Sequence, residues 1–168
     1  MWSKAAAAFL LLGTLAACGF EPLYGNRVEQ GPAGPAMAAT YVAPIPDRIG
    51  QQVRNNLLDR LNPAGIPDRP LYTLQIALSA DKEGLAIRQD ETVTRFNLTL
   101  QAEFALVDRA QGKPVFRGKT RSIAAYNVVE SPFATLIAEQ DAEARAAREI
   151  SEEIRNQVAL YFASRGQT

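Results

Sequence analysis

LAIRQDETVTRFNLTLQAEFALV (residues 85–107), DRAQGK (108–113) and PVFRGKTRSIAAY (114–126) are the stretch on which the fold turns. A two-residue period runs through the first segment. Thr94, Phe96, Leu98, Leu100, Ala102, Phe104 and Leu106 share one side, and Val93, Arg95, Asn97, Thr99, Gln101 and Glu103 the other. Successive strand side chains point to opposite faces, so this alternation predicts a strand with one buried face. Residues 108–113, with Gly112, read as a turn, and 114–126 as the returning strand. Setting Val107 opposite Val115 places Phe104 against Gly118 and Phe96 against Tyr126 on the apolar side. The same register sets Glu103 against Lys119 and Gln101 against Arg121 on the polar side. Both faces are self-consistent, which predicts a long antiparallel hairpin.

Working outward, Leu71–Ala80 alternates as well, with Tyr72, Leu74, Ile76 and Leu78 on one face, and a turn is expected at Asp81–Gly84. Ahead of it, Ile49, Val53, Leu57 and Leu61, with Leu58 beside them, make one apolar stripe of a helix over roughly Arg48–Leu61. Asp47 is expected to cap that helix and Asn62-Pro63-Ala64-Gly65 to stop it. Ala36–Ala43 reads as a weak first strand ending at Pro44-Ile45-Pro46. After the hairpin, Ser131-Pro132 opens a helix that can run to about Arg165, with Gly166 beyond it. Its apolar stripe is read as Phe133, Leu136, Ile137, Ile150, Ile154, Val158, Tyr161 and Phe162. Its middle (Ala142, Ala144, Ala146, Ala147) is small enough to lie close to a sheet. About 33 residues at 1.5 Å each make roughly 50 Å, so a bend or an overhang is expected. The expected fold class is α+β: a two-layer sandwich or roll of about four mostly antiparallel strands, with two helices packed on one face.

Composition narrows the chemistry. The chain has no histidine, which excludes a Ser-His-Asp triad, a Cys-His pair and a His-ligated metal. No Walker loop, GxGxxG or nucleophile elbow is present. Asp and Glu are scattered along expected helix surfaces and turns, where solvated charge is the usual role. No cofactor and no metal site are expected. With Lys4 set aside with the leader described next, the 18 basic residues become 17 against 18 acidic, a balance unlike that of a general nucleic-acid binder.

The first residues carry the address. Lys4 precedes a small-residue and leucine run, Ala5–Ala16, which leads through Leu15-Ala16-Ala17 to Cys18. A basic start, a short apolar core and a small-residue exit make a secretory signal; a core of about a dozen residues is too short to span a bilayer. Cys18 is the only cysteine in the chain and stands where a bacterial lipobox requires it. The expectation is a signal peptide over 1–17, removed, and a diacylglyceryl and fatty acyl group on Cys18 as the new residue 1. More than one acyl chain is what makes such anchoring durable. Gly19 stands where inner-membrane lipoproteins usually carry aspartate, which resembles the outer-membrane sorting class. No disulfide can form within the chain. Residues 18–35, with Pro22, Gly25, Gly31, Pro32, Gly34 and Pro35, read as a lipidated N-terminus and linker, and 36–168 as a single domain. Phe20 and Tyr24 stand in that linker, beside the anchor.

The run Cys18-Gly19-Phe20-Glu21-Pro22-Leu23-Tyr24-Gly25 resembles the mature start of the LPS-assembly lipoprotein (LptE) family. Ser131-Pro132-Phe133-Ala134-Thr135-Leu136, continuing to Glu143, is similar to that family's entry into its C-terminal helix. The order of elements agrees over essentially the whole mature chain, while the middle strands match in pattern and not in identity. The resemblance implies a non-catalytic plug partner of the outer-membrane LPS translocon β-barrel. It also implies lipopolysaccharide contact and a lipid anchor in the outer membrane, facing the periplasm or the barrel lumen.

Arg117, Lys119 and Arg121 project from one side of one strand, with Arg95 on that face and Arg88 continuing it. Several such groups suit lipid A phosphates. The bland reading is a solvated face on which Glu103 neutralises Lys119, since exposed pairs contribute only about 0–1 kcal/mol. A different class of function also fits: a periplasmic adaptor lipoprotein of an envelope lipid or solute transporter. A third is a lipid-anchored enzyme using paired carboxylates, whose sign would be a carboxyl with a strongly raised pKa in a cleft.

Cys18→Ala should yield a soluble periplasmic protein or an uncleaved precursor, read by membrane fractionation with fatty-acid labelling. Full membrane retention with normal processing and no label contradicts the lipobox reading.

Overall fold

The computed structural model describes residues 33–87 and 93–165. Among them, β2 (Tyr72–Ile87), β3 (Val93–Asp108) and β4 (Lys113–Asn127) form an antiparallel meander. A short strand, β1 (Thr40–Val42), adds in parallel to β2, giving the order β1-β2-β3-β4. Two helices cover one face: α2 (Asp47–Leu61) and α3 (Pro132–Arg165). A one-turn helix, α1 (Gly34–Ala38), precedes β1. The α+β two-layer class stands.

The β3–β4 register follows the side-chain alternation. Phe96 faces Tyr126, Phe104 faces Gly118 and Glu103 faces Lys119. The assumed Val107–Val115 pair does not form. A register shift after Leu106 sets Val107 against Pro114 and Asp108 against Lys113. Pro114 cannot donate to a ladder and sits on the edge strand, where it is tolerated. The turn is held by Asp108, whose Oδ1 accepts the Ala110 and Gln111 N–H groups at 2.8 and 3.1 Å, and Gly112 supplies φ +64.

Three expectations change. The turn at Asp81–Gly84 is absent: β2 runs on to Ile87, with Asp81 opposite Thr99 and Gly84 opposite Phe96. Asp, Lys, Glu and Gly are poor strand formers, but β3, held on its other edge by β4, offers a complete ladder that overrides propensity. The stretch Ala36–Ala43 divides between α1 and β1. Pro35 in the first helical positions and the alanines around it favour the turn of helix, and Met37 anchors it at 2% exposure. Helix thus begins at Gly34, inside the stretch read as linker. Asp47 makes no capping hydrogen bond; Pro46 holds the cap position and Asp47 follows at φ +66. The entry to α2 is set instead by Ile45, 4% exposed, which packs where Gly50 has no side chain. The buried stripe of α2 is accordingly Gly50, Val53, Leu57 and Leu61, with Ile49 half-buried.

The core lies between the inner sheet face and the helices. Leu74, Leu98, Leu100, Ala102, Phe104 and Leu106 meet Val53 and Leu57 of α2 and Ile150, Ile154 and Val158 of α3 in one cluster. Ala142, Ala146 and Ala147 are completely buried, as small residues at a close helix–sheet approach should be. Aromatics close the α1 end of the core: Tyr72–Phe162 (5.0 Å between ring centroids), Phe116–Tyr161 (5.1 Å) and Phe104–Phe116 (5.9 Å). Buried Ser151 binds α3 to α2, its Oγ lying 3.2 Å from the Val53 carbonyl. A charged clasp does the same at the other end. Buried Glu143 of α3 pairs with Arg48 of α2 and, at 3.8 Å, with Lys82 of β2, and Lys82 also pairs with Glu139. Burial, then the Glu139 carboxylate, push the nearby Tyr126 phenol above its usual value, against the pull of Lys82.

At the start of α3 the expected stripe fails. Ser131 Oγ accepts the Ala134 N–H at 3.4 Å, consistent with the capping role. Yet Phe133, Leu136 and Ile137 are exposed by 73, 48 and 48%. Contact with the core starts at Ala138, so the first turns of this 34-residue helix overhang it. The overhang expected from its length is there, and the three large residues ride on it.

Gly118 is the tightest point. A Cβ there would stand 2.8 Å from Phe104 Cε1 and 2.6 Å from Gln157 Oε1 of α3. Gly118→Val should therefore destabilise the domain by about 1–3 kcal/mol, the usual cost of overpacking, read as a shift in the urea midpoint. An unchanged midpoint would show that α3 does not sit this close.

Candidate functional site

The sheet has a second face that no described element covers. Its rows run from β2 through β3 to β4: Gln75–Ala105–Arg117, Ala77–Glu103–Lys119, Ser79–Gln101–Arg121, Asp81–Thr99–Ile123 and Glu83–Asn97–Ala125. Strand alternation puts Arg117, Lys119 and Arg121 side by side on this face, and all three are exposed. Among the described residues none of them makes a side-chain hydrogen bond or an ion pair. The same holds for Glu103, which stands opposite Lys119 without pairing to it. A shallow depression lined by Gln75, Ala77, Glu103, Ala105 and Arg117 lies at the start of the stripe.

The expected basic set divides in three. Arg117, Lys119 and Arg121 come together. Arg95 is exposed on the same face, opposite Asn127, but stands six residues along β3 from Gln101, roughly 20 Å at strand rise. Arg88 lies outside the described residues, as does Cys18. The extended β2 adds two groups that the sequence reading had assigned to a turn: Asp81 and Glu83 now continue the face on its β2 side. Asp81 and Glu83 lie in the rows of Ile123 and Ala125, further along the sheet than the three cations of β4, and Glu103 stands in the row of Lys119. The three neighbouring cations attract anions to the β4 edge through a local field rather than through net charge.

One other feature lies apart from this face. A cavity of about 480 Å³ between α1 and the loop after α2 is lined by Met37, Leu61, Asn62 and Ile66, among others. No periodicity in the sequence pointed to it, because a loop forms half its wall. No helix among the described residues is long and apolar enough to cross a membrane.

The chain was compared with known proteins. The family described as Lipopolysaccharide-assembly, LptE, matches residues 37–158. An uncharacterized protein of Rickettsia prowazekii (strain Madrid E) is 24% identical over 153 residues, covering 91% of this chain and 94% of its own. Among solved structures, a lipoprotein from Caulobacter crescentus superposes with a TM-score of 0.66 at 24% identity, covering 79% of this chain and 96% of its own. The rare lipoprotein B of Shewanella oneidensis gives 0.56 at 16% identity, with 73% and 94% covered. A minor lipoprotein of Acinetobacter baumannii gives 0.59 at 15%, with 74% and 92% covered. At these identities the solved structures speak for the fold, and the fold they share is the one described above. The family match runs from buried Met37 in α1 to buried Val158 in α3, across the whole sheet and both covering helices, and the chain belongs to the lipopolysaccharide-assembly (LptE) family.

Proposed function

We propose that this chain is an outer-membrane lipoprotein that, together with a β-barrel translocon, assembles lipopolysaccharide into the outer leaflet of the outer membrane. The role is non-catalytic: the domain plugs the barrel and meets its cargo. Cys18 carries the acyl anchor, and the domain hangs from it at the α1 end. The observation that carries the reading is the family match over residues 37–158, to which the uncovered cationic stripe of β4 adds a chemical rationale.

Lipopolysaccharide presents phosphates on its lipid A. Arg117 and Arg121 offer planar donor forks and Lys119 a point charge, spaced about 7 Å apart along one face of the strand. Unpaired cations keep their full capacity to bind phosphate, which a stripe locked in ion pairs would lack. The covered face has no such capacity, because its charges are already engaged in the Arg48–Glu143–Lys82 clasp.

Reversing two of the three charges, Arg117→Glu with Arg121→Glu, tests this. Both side chains are exposed, so circular dichroism should show an unchanged fold. Lipopolysaccharide affinity should fall by about tenfold or more, since each charge-assisted hydrogen bond lost is roughly 1.5–3 kcal/mol. The remaining binding should respond less to added salt. Lys119 is the weakest of the three as a probe, with Glu103 directly opposite. Full affinity with an unchanged salt response in the double variant would make the stripe a solvated face only.

A further inference from the structure

The cavity beside α1 stands where the described chain begins. Ala33 is buried at 9% exposure, and the next residues, Gly34 and Pro35, already form part of the cavity wall. Met37 and Leu61, each 2% exposed, give it an apolar base, and Ile66, 55% exposed, stands in its outer wall. Its two sides are tied together. Asn62 Nδ2 donates to the Ala38 carbonyl at 2.9 Å, and the Gly65 N–H donates to the Asn62 carbonyl at 2.9 Å. The space is therefore a built feature of the fold. Asn62 is 6% exposed, yet its Oδ1 has no partner among the described residues, which leaves the wall one donor short. At about 480 Å³ the cavity has the size of sites that take a small molecule or a few side chains.

We infer that this cavity is the docking site of the chain's own residues 20–24, Phe20-Glu21-Pro22-Leu23-Tyr24, with the Tyr24 ring inside it. Three observations select this occupant. The chain ahead of Ala33 leads away from the cavity wall itself, so the segment can return to it without crossing the domain. The apolar residues are also grouped in the right place. Residues 20–24 hold Phe20, Leu23 and Tyr24, whereas the eight residues 25–32 hold one large apolar side chain, Val28. Such a spacer reaches at most about 28 Å, and Gly25, Gly31 and Pro32 within it are residues that chain reversals use. Finally, Tyr24 joins an apolar ring to an O–H donor, the combination that suits an apolar cavity with an unsatisfied acceptor in its wall. The docking goes beyond the lipopolysaccharide reading and does not need it. Its effect on position rests on the anchor at Cys18. A tether of six residues, about 20 Å, replaces one of fifteen, about 50 Å, and holds the α1 end of the domain close to the membrane.

Disulfide trapping in isolated membranes tests it on the full-length, lipidated protein, in which the acylated Cys18 offers no free thiol. One variant carries Gly25→Cys, beside an intact Tyr24, with Ile66→Cys in the outer wall of the cavity. The control pairs Gly25→Cys with Ile123→Cys, since Ile123 is 50% exposed on the open sheet face. Closure is read on a gel as loss of maleimide-reactive thiols after a brief pulse of oxidant. The 25–66 pair should close at least about tenfold faster than the control. Adding Tyr24→Ser to that pair should slow its closure by about tenfold, the lower end of what burying one aromatic ring contributes. Unchanged protein abundance serves as the folding check. Equal rates for the two pairs would overturn the docking. So would a 25–66 rate that Tyr24→Ser leaves unchanged, which reduces the effect to a short tether. Bonds formed only between two copies would overturn it as well, as would a thiol at position 25 that reacts with a maleimide-bearing lipid and not with position 66, which places the segment in the bilayer. Each of these outcomes leaves the lipopolysaccharide reading standing, because that reading is tested separately by the Arg117 and Arg121 reversals.

Discussion

The close approach of α3 to the sheet depends on missing side-chain volume. Gly118 leaves room on β4 for Phe104 and Gln157, and Ala142, Ala146 and Ala147 present only methyl groups on the helix. With those four positions small, a 34-residue helix can lie along the hairpin and enclose its apolar side. Larger residues there would lift the helix, open the aromatic cluster of Phe104, Phe116, Tyr161 and Phe162, and separate Glu143 from Arg48 and Lys82. Packed interiors yield little to such insertions, so the effect would reach well beyond the site.

One-sided closure has a direct consequence. Because both long helices lie on the same face, the other face keeps whatever chemistry its alternating residues carry. On β4 these are three cations followed by Ile123. On the closed side Arg48, Glu143, Lys82 and Glu139 hold α2, α3 and β2 together, whereas the charges of the open side have no partner among the described residues. Stability thus rests on one face of the sheet and the proposed recognition on the other, and charge reversals on the open face can be made without disturbing the core.

Much of this was legible in the residues. Strict alternation placed the inward side chains of β3 from Phe96 to Leu106, and the pairing of large Phe104 with Gly118 followed from it. The proline and glycine signals at Pro132 and Asn62–Gly65 marked the helix ends. What escaped had physical causes. Asp81–Gly84 has the composition of a turn, and only the presence of β3 as a template keeps it in the sheet. The register slip at Val107 comes from Pro114, whose effect on a ladder cannot be read from apolar spacing. Asp47 looks like a helix cap, but the buried Ile45 fixes how the chain enters α2. Phe133, Leu136 and Ile137 continue the helical period of the core stripe, and periodicity carries no information about where the sheet beneath a helix ends. The cationic stripe was visible as i, i+2, i+4 spacing; its freedom from ion pairs among the described residues needed the structure.

The central claim is that this domain works as the lipopolysaccharide-assembly partner of an outer-membrane barrel. The most direct measurement is a mild-detergent pull-down of the lipidated protein through a C-terminal tag, with partners identified and counted by mass spectrometry. The account predicts a large outer-membrane β-barrel in one-to-one ratio with the chain. Recovery of inner-membrane transporter components instead, or a monomer with no barrel under the mildest extraction, would contradict it.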